Sequence, residues 1–168
     1  MTSSKKPLSV IGKTCTIDIV GYSENVPAKV DTGADSSAIW SSDIEIDQEG
    51  MLHFTLFDKS SEFYTGERLS RKNYKVAKIR SSSGHTQIRY RTELIIRVGG
   101  RRIRALFNLS DRSNNKFPIL LGRRTLTGKF IVDVRKGRVN ELPRSDSRAL
   151  NDELQHNPYE FFKKYHKS

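Results

Sequence analysis

Along residues 14–134 apolar and polar positions alternate with a period of two, in short runs rich in β-branched residues that turn residues interrupt. Thr14-Cys15-Thr16-Ile17-Asp18-Ile19-Val20 is the clearest run, and Gly21-Tyr22-Ser23-Glu24-Asn25 turns it back into 26–30. Residues 53–57 form another run, closed by Asp58-Lys59-Ser60-Ser61. Runs at 74–80 and 86–92 flank Ser81-Ser82-Ser83-Gly84-His85 and predict a long hairpin. Runs at 93–98 and 102–107 flank Gly99-Gly100, a pair suited to the positive φ angles of a two-residue hairpin turn. Residues 119–121 and 130–134 complete the set, and between them Gly122-Arg123-Arg124-Thr125-Leu126 predicts one or two helical turns. Many short strands and few helices predict an all-β barrel or sandwich. The pattern changes at residues 141–168, where Pro143, Ser145 and Asp146 precede 149–154, and Pro158 precedes Tyr159-Glu160-Phe161-Phe162. That change predicts a domain at 1–140 and a partly helical C-terminal extension at 141–168.

The length of 168 residues suits one domain with a real core. Thirty Lys and Arg against nineteen Asp and Glu give a net charge of +11. This excess points to an anionic partner, whether nucleic acid, acidic protein or acidic peptide, with a solvated surface as the plain alternative. Arg89 and Arg91 fall on one face of their strand, and Arg102 and Arg104 on one face of theirs. Such a grid suits an acidic peptide or stands as a solvated sheet face. The single Cys15 excludes an internal disulfide framework and a CxxC metal site. No apolar run has the length of a signal peptide or a membrane span, so the expected place is a reducing cytoplasm without membrane attachment.

The chemistry concentrates at Asp31-Thr32-Gly33-Ala34, directly after a predicted strand. One carboxylate on a tight turn is either a turn cap or half of an acid–base dyad. Two carboxylates about 3 Å apart share a proton and serve as base and acid together. The chain has no second Asp-Thr-Gly or Asp-Ser-Gly, and Asp111 and Asp133 lack the following Thr/Ser-Gly turn. The dyad therefore requires a second copy of the molecule. No HExxH, no Walker loop and no ligand spacing among His53, His85, His156 and His166 are present, so no metal or other cofactor is expected.

Four segments in order carry a resemblance: Ala28-Lys29-Val30-Asp31-Thr32-Gly33-Ala34, then Ser82-Ser83-Gly84, then Leu109-Ser110-Asp111-Arg112-Ser113, then Pro118-Ile119-Leu120-Leu121-Gly122-Arg123. Over residues 14–134 the chain resembles the retropepsin-like aspartic proteases, most closely the bacterial RimB-like (DUF785) group often labelled ATP-dependent zinc proteases. Neither half of that label has support in these residues. The resemblance implies a closed acid-protease barrel with a flap hairpin, a short helix after Leu120-Leu121-Gly122-Arg123, and extra residues within 43–73. It implies a homodimeric aspartic endopeptidase in which Asp31 is catalytic and Thr32 stiffens the paired loops. Gly33 lets backbone approach the carboxylate. Asp35 and Arg123 form an ion pair beneath the cleft, with Gly122 beside them. Ala34, Asp35, Ser82, Ser83, Gly84 and His85 are the implied substrate contacts, the last four as the flap tip. Relatives thought to trim glutamate tails from a ribosomal protein imply acidic or polyglutamate-like substrates. A reading of another class remains: a non-catalytic basic barrel binding an anionic polymer such as RNA, with Tyr90 as the main base-stacking candidate.

Overall fold

A computed structural model describes residues 6–80, 83–138 and 147–166. The first long hairpin pairs β2 (Thr14–Ile19) with β3 (Ser23–Val30) in antiparallel register, Cys15 opposite Ala28 and Ile17 opposite Val26. The reversal uses Gly21 at φ +87 and Asn25 at φ +54, left-handed conformations suited to Gly and Asn. Ile17, Ile19, Val26, Ala28 and Val30 are buried, which is the alternation visible in the chain.

β4 (Ser37–Ile46) follows, then β8 (Thr86–Val98) and β9 (Arg101–Ser110), which form the longest ladder in the molecule. Gly99 and Gly100 have φ +54 and +73, as a two-residue hairpin turn requires. β10 (Ile119–Leu121) is only three residues long, but it closes the structure. It runs parallel to β3, with Leu121 opposite Val30, and antiparallel to β4, with Ile119 opposite Ile39. The ring β3–β2–β8–β9–β4–β10 is a closed six-stranded barrel. Phe107, Ile96, Leu94, Ile39, Ile119 and Leu121 fill it. Each such side chain contributes about 1.5–3 kcal/mol by leaving water. The expected all-β, closed retropepsin-like barrel is the observed fold.

The residues expected to be additional within 43–73 carry β5 (Leu52–Leu56) and β6 (Arg68–Arg71), which extend the sheet beyond the ring from the second half of β4. Leu52, Phe54, Phe57 and Leu69 are buried there, and Trp40 meets Phe57 edge-on at 6.2 Å. β7 (Lys75–Arg80) pairs with the first half of β8 as the predicted long hairpin. β1 (Ser9–Gly12) and β11 (Phe130–Asp133) form a separate parallel pair against the Gly99 turn.

The short helix α1 (Arg123–Leu126) stands where expected. The tail holds α2 (Arg148–His156) and α3 (Pro158–Tyr165), longer than the segments read from sequence. Asn157 separates them and its side chain accepts from the Glu160 amide, while Pro158 opens α3. The expected boundary between 140 and 141 lies outside the described residues. Among those described, no helix is long and apolar enough to cross a membrane.

Candidate active site

Asp31 is the first residue after β3, and its amide donates to the Leu121 carbonyl at 2.9 Å, so the end of β10 fixes where the loop begins. The loop then folds on its own carboxylate. Asp31 Oδ1 accepts from the amides of Gly33 at 3.0 Å and Ala34 at 3.2 Å. None of the hydrogen bonds described ends on Oδ2. One oxygen therefore orients the carboxylate, and the other is available to a proton, a water or a second carboxylate.

The loop is clamped from behind by α1. The amides of Arg123 and Arg124, which an isolated helix leaves without partners, donate to the carbonyls of Ala34 at 2.8 Å and Asp35 at 3.1 Å. Arg123 Nη1 reaches the Gly33 carbonyl at 3.0 Å and the Thr32 carbonyl at 3.5 Å. Deeper in, Ser37 Oγ accepts from the Gly122 amide at 3.0 Å and meets Thr125 Oγ1 at 2.7 Å, with both hydroxyls buried. A Cβ on Gly122 would stand 2.4 Å from the Ser36 carbonyl oxygen, so only glycine permits this approach of the two backbones.

The structure thus brings Asp31, Thr32, Gly33, Ala34, Asp35, Gly122 and Arg123 into one assembly. The Asp35–Arg123 pair is longer than a hydrogen bond, at 3.7 Å; Arg124 Nε makes the close contact, 2.9 Å from Asp35 Oδ2. Arg123 acts chiefly on loop carbonyls instead. Arg124, Ser37 and Thr125 were not singled out as site residues from the sequence. The Ser37–Thr125 bond joins positions 88 residues apart, and neither residue type signals such a contact. Ser83, Gly84 and His85 lie at the exposed tip of the β7–β8 hairpin, with Gly84 at φ +84. Ser82 lies outside the described residues.

Among the described residues, no other carboxylate is arranged as a partner for Asp31. Asp133 is held by Arg135, with Nε and Nη2 each at 3.0 Å, and that guanidinium keeps its carboxyl below the usual range. Asp111 Oδ1 accepts from the Ser113 amide at 2.9 Å, and the same residue lowers its proton affinity. Both are committed to their own turns. Burial pushes the Cys15 thiol up to about 11, which leaves it protonated and a poor nucleophile at neutral pH. Among the described residues no group of three or more His, Cys, Asp or Glu is placed to hold a metal ion. His53 instead bridges Asp47 and Ser70, at 2.7 and 2.8 Å.

Comparison with known proteins agrees with this geometry. A solved structure of Lpg0085, a protein of unknown function (DUF785) from Legionella pneumophila subsp. pneumophila str. Philadelphia 1, has the same fold. It superposes with a TM-score of 0.60 at 23% identity, over 79% of this chain and 98% of its own. A search of curated proteins found no match. The family model of the retropepsin-like aspartic endopeptidase RimB matches residues 10–143, which span the barrel, the Asp31 loop and its α1 clamp. The chain belongs to the RimB-like family of retropepsin-like aspartic endopeptidases.

Proposed function

We propose that the protein is an aspartic endopeptidase that acts as a homodimer, with one Asp31 from each copy forming the dyad. The observation that carries this reading is the Asp31 loop itself. Its carboxylate is fixed through Oδ1 by two backbone amides and braced from behind by α1, and among the described residues no second carboxylate is arranged to complete it. Across a two-fold axis, two such loops place their carboxylates in near contact over one water. The ionised Asp31 takes a proton from that water as it attacks the scissile carbonyl, and the protonated Asp31 of the second copy polarises the carbonyl oxygen. Collapse of the tetrahedral intermediate passes a proton to the departing amine and returns the dyad to a shared proton.

In this reading Thr32 stiffens the paired loops, and Asp35 accepts from substrate backbone while Arg124 and Arg123 hold it. The β7–β8 hairpin folds over the bound peptide and excludes water. The net charge of +11 favours acidic substrates, including polyglutamate-like ones, in the cytoplasm. The RNA-binding alternative finds little support. Tyr90 is half-buried and meets Tyr74 edge-on at 6.2 Å rather than standing open for base stacking. The test is cleavage of a glutamate-rich peptide library by the full chain and by Asp31→Asn. Cleavage by the wild type alone is expected, and turnover that survives Asp31→Asn overturns the assignment of the base.

A further inference from the structure

The β5–β6 extension holds a second array of chemical groups, outside the ring that carries the Asp31 loop. Leu52, Phe54 and Leu69 are buried in the core, so the period of two turns His53 of β5 and Ser70 of β6 to the other face. There the register sets the two directly opposite each other. His53 Nδ1 meets Ser70 Oγ at 2.8 Å, and His53 Nε2 meets Asp47 Oδ2 at 2.7 Å. Asp47 begins the β4–β5 connection, where Gly50 at φ +78 turns the chain and the Met51 amide donates to Asp47 Oδ1 at 2.8 Å. Amide, carboxylate, imidazole and hydroxyl are therefore aligned in series.

The chemistry of these groups fixes the direction of each bond. The hydrogen bond from His53, and next the Met51 amide, hold the Asp47 carboxyl below its ordinary value, so near neutral pH it is ionised and can only accept. His53 Nε2 must then carry the proton that it donates, and the neutral ring presents its lone pair at Nδ1 to the Ser70 hydroxyl. Nucleophile, base and orienting carboxylate stand in the relation found in serine hydrolases, with the two ring nitrogens exchanged. Asp47 and His53 are half-buried, which holds them in place. Ser70 is exposed on β6, the last strand of its sheet, where a reagent can approach. Two guanidinium groups lie beside it. Arg71 Nη1 donates to the Ser70 carbonyl at 2.9 Å, which brings positive charge next to the hydroxyl. Arg68, two residues back on the same face, is paired with Glu45, the residue opposite His53 on β4.

We propose that Ser70 is an acyl-accepting serine that hydrolyses small carboxylic esters, with His53 as its base and Asp47 as the residue that positions the base. Ser70 Oγ attacks the acyl carbon while its proton passes to His53 Nδ1. Asp47 stabilises the imidazolium that forms, and the Arg71 guanidinium faces the charge that develops on the acyl oxygen. Collapse breaks the bond between the acyl carbon and the ester oxygen. The alcohol leaves with the proton from His53, and the acyl group stays on Ser70. A water then gives its proton to the same nitrogen as it attacks the acyl carbon. Ser70 Oγ takes that proton back as the carboxylic acid departs. An open position on an edge strand suits small, unhindered esters. None of these residues belongs to the Asp31 assembly, so the proposal does not rest on the peptidase reading.

The test uses the full chain carrying Asp31→Asn, with a fluorophosphonate probe and para-nitrophenyl acetate as the two reagents. The probe is expected to join its phosphorus to Ser70 Oγ with loss of fluoride, located by peptide mass spectrometry. Adding Ser70→Ala alters one exposed side chain, and is expected to abolish that label and to slow nitrophenolate release at least about tenfold. His53→Gln keeps a hydrogen-bonding side chain but cannot take up a proton, and is expected to slow labelling of Ser70 about a hundredfold. Asp47→Asn is expected to slow it in the same direction, because the ring loses the acceptor that fixes its tautomer. A chain that takes no phosphonate on Ser70, or a Ser70→Ala variant that releases nitrophenolate at the parent rate, overturns the proposal. So does equal labelling of Ser70 in a His53→Gln variant whose circular dichroism matches the parent, since the array would then only tie β5 to β6. Cleavage of the glutamate-rich library by wild type and Asp31→Asn judges the peptidase reading separately.

Discussion

At the scale of single residues, the candidate site is a carboxylate whose direction is set by backbone and whose backbone is set by a glycine. Asp31→Asn keeps an oxygen able to accept from Gly33 and Ala34, so folding stability is expected to change little while peptidase activity falls at least about a hundredfold. Thermal unfolding and peptide cleavage on one preparation check both halves. Gly122→Ala is expected to lower stability as well as activity, because the α1 clamp braces the Asp31 loop. Its Cβ would meet the Ser36 carbonyl oxygen at 2.4 Å and carbon at 2.5 Å, so the clamp must open, at about 1–3 kcal/mol in denaturant unfolding. Asp31-Thr32-Gly33 was legible in the sequence because the information is local: a carboxylate followed by the residues that turn the chain onto it. Ser37, Thr125 and Arg124 were not, since their roles exist only once β4 and α1 have been brought together by the rest of the fold.

At the scale of elements, alternation revealed the strands that have one wet face and concealed the others. β2 and β8 announced themselves, whereas the first five residues of β4 are all buried and offer no period of two. β1 and β6 are four residues each, too short to carry a pattern. The Gly99-Gly100 turn shows how one element constrains another. Gly100 has open space around it, so Gly100→Ala is expected to cost about 1 kcal/mol, for the left-handed backbone alone. At Gly99 a Cβ would stand 2.7 Å from Ile11 Cγ2 and 2.9 Å from Phe130 Cε1, so Gly99→Ala should cost about 3 kcal/mol and loosen the β1–β11 pair, visible as faster amide exchange there. The β5–β6 extension carries a pH dependence of its own. The hydrogen bond from His53, and next the Met51 amide, hold the Asp47 carboxyl below its ordinary value of 3.8. A depressed folded-state value adds stability above the ordinary value and loses it as pH falls through the folded one. Asp47→Asn is therefore expected to be less stable than wild type at neutral pH, with the gap closing below pH 3.8 in an acid titration.

At the scale of the whole molecule, alternation made the all-β class legible, while the closure of the barrel was expected only through the resemblance to retropepsin-like proteases. Three residues of β10, paired to β3 on one side and β4 on the other, turn an open sheet into a ring, and that double pairing has no signature in Ile119-Leu120-Leu121. The same closure sets the Asp31 loop at the edge of the molecule with its carboxylate half-exposed, where a second copy can meet it. If each active site takes one Asp31 from each copy, activity is a property of pairs. Specific activity should then fall on dilution through the dimer dissociation range, in step with the shift to monomer in sedimentation. Mixing gives a sharper criterion. When wild type is equilibrated with an equal amount of Asp31→Asn, random exchange leaves about a quarter of the dimers with both carboxylates. Activity per wild-type subunit should drop to about half, because a dimer with one Asn has lost either its base or its shared proton. A single-chain site would keep full activity per wild-type subunit at every mixing ratio. Because Asp31→Asn preserves the loop, a shortfall in the mixture reports the missing carboxylate and not a misfolded partner.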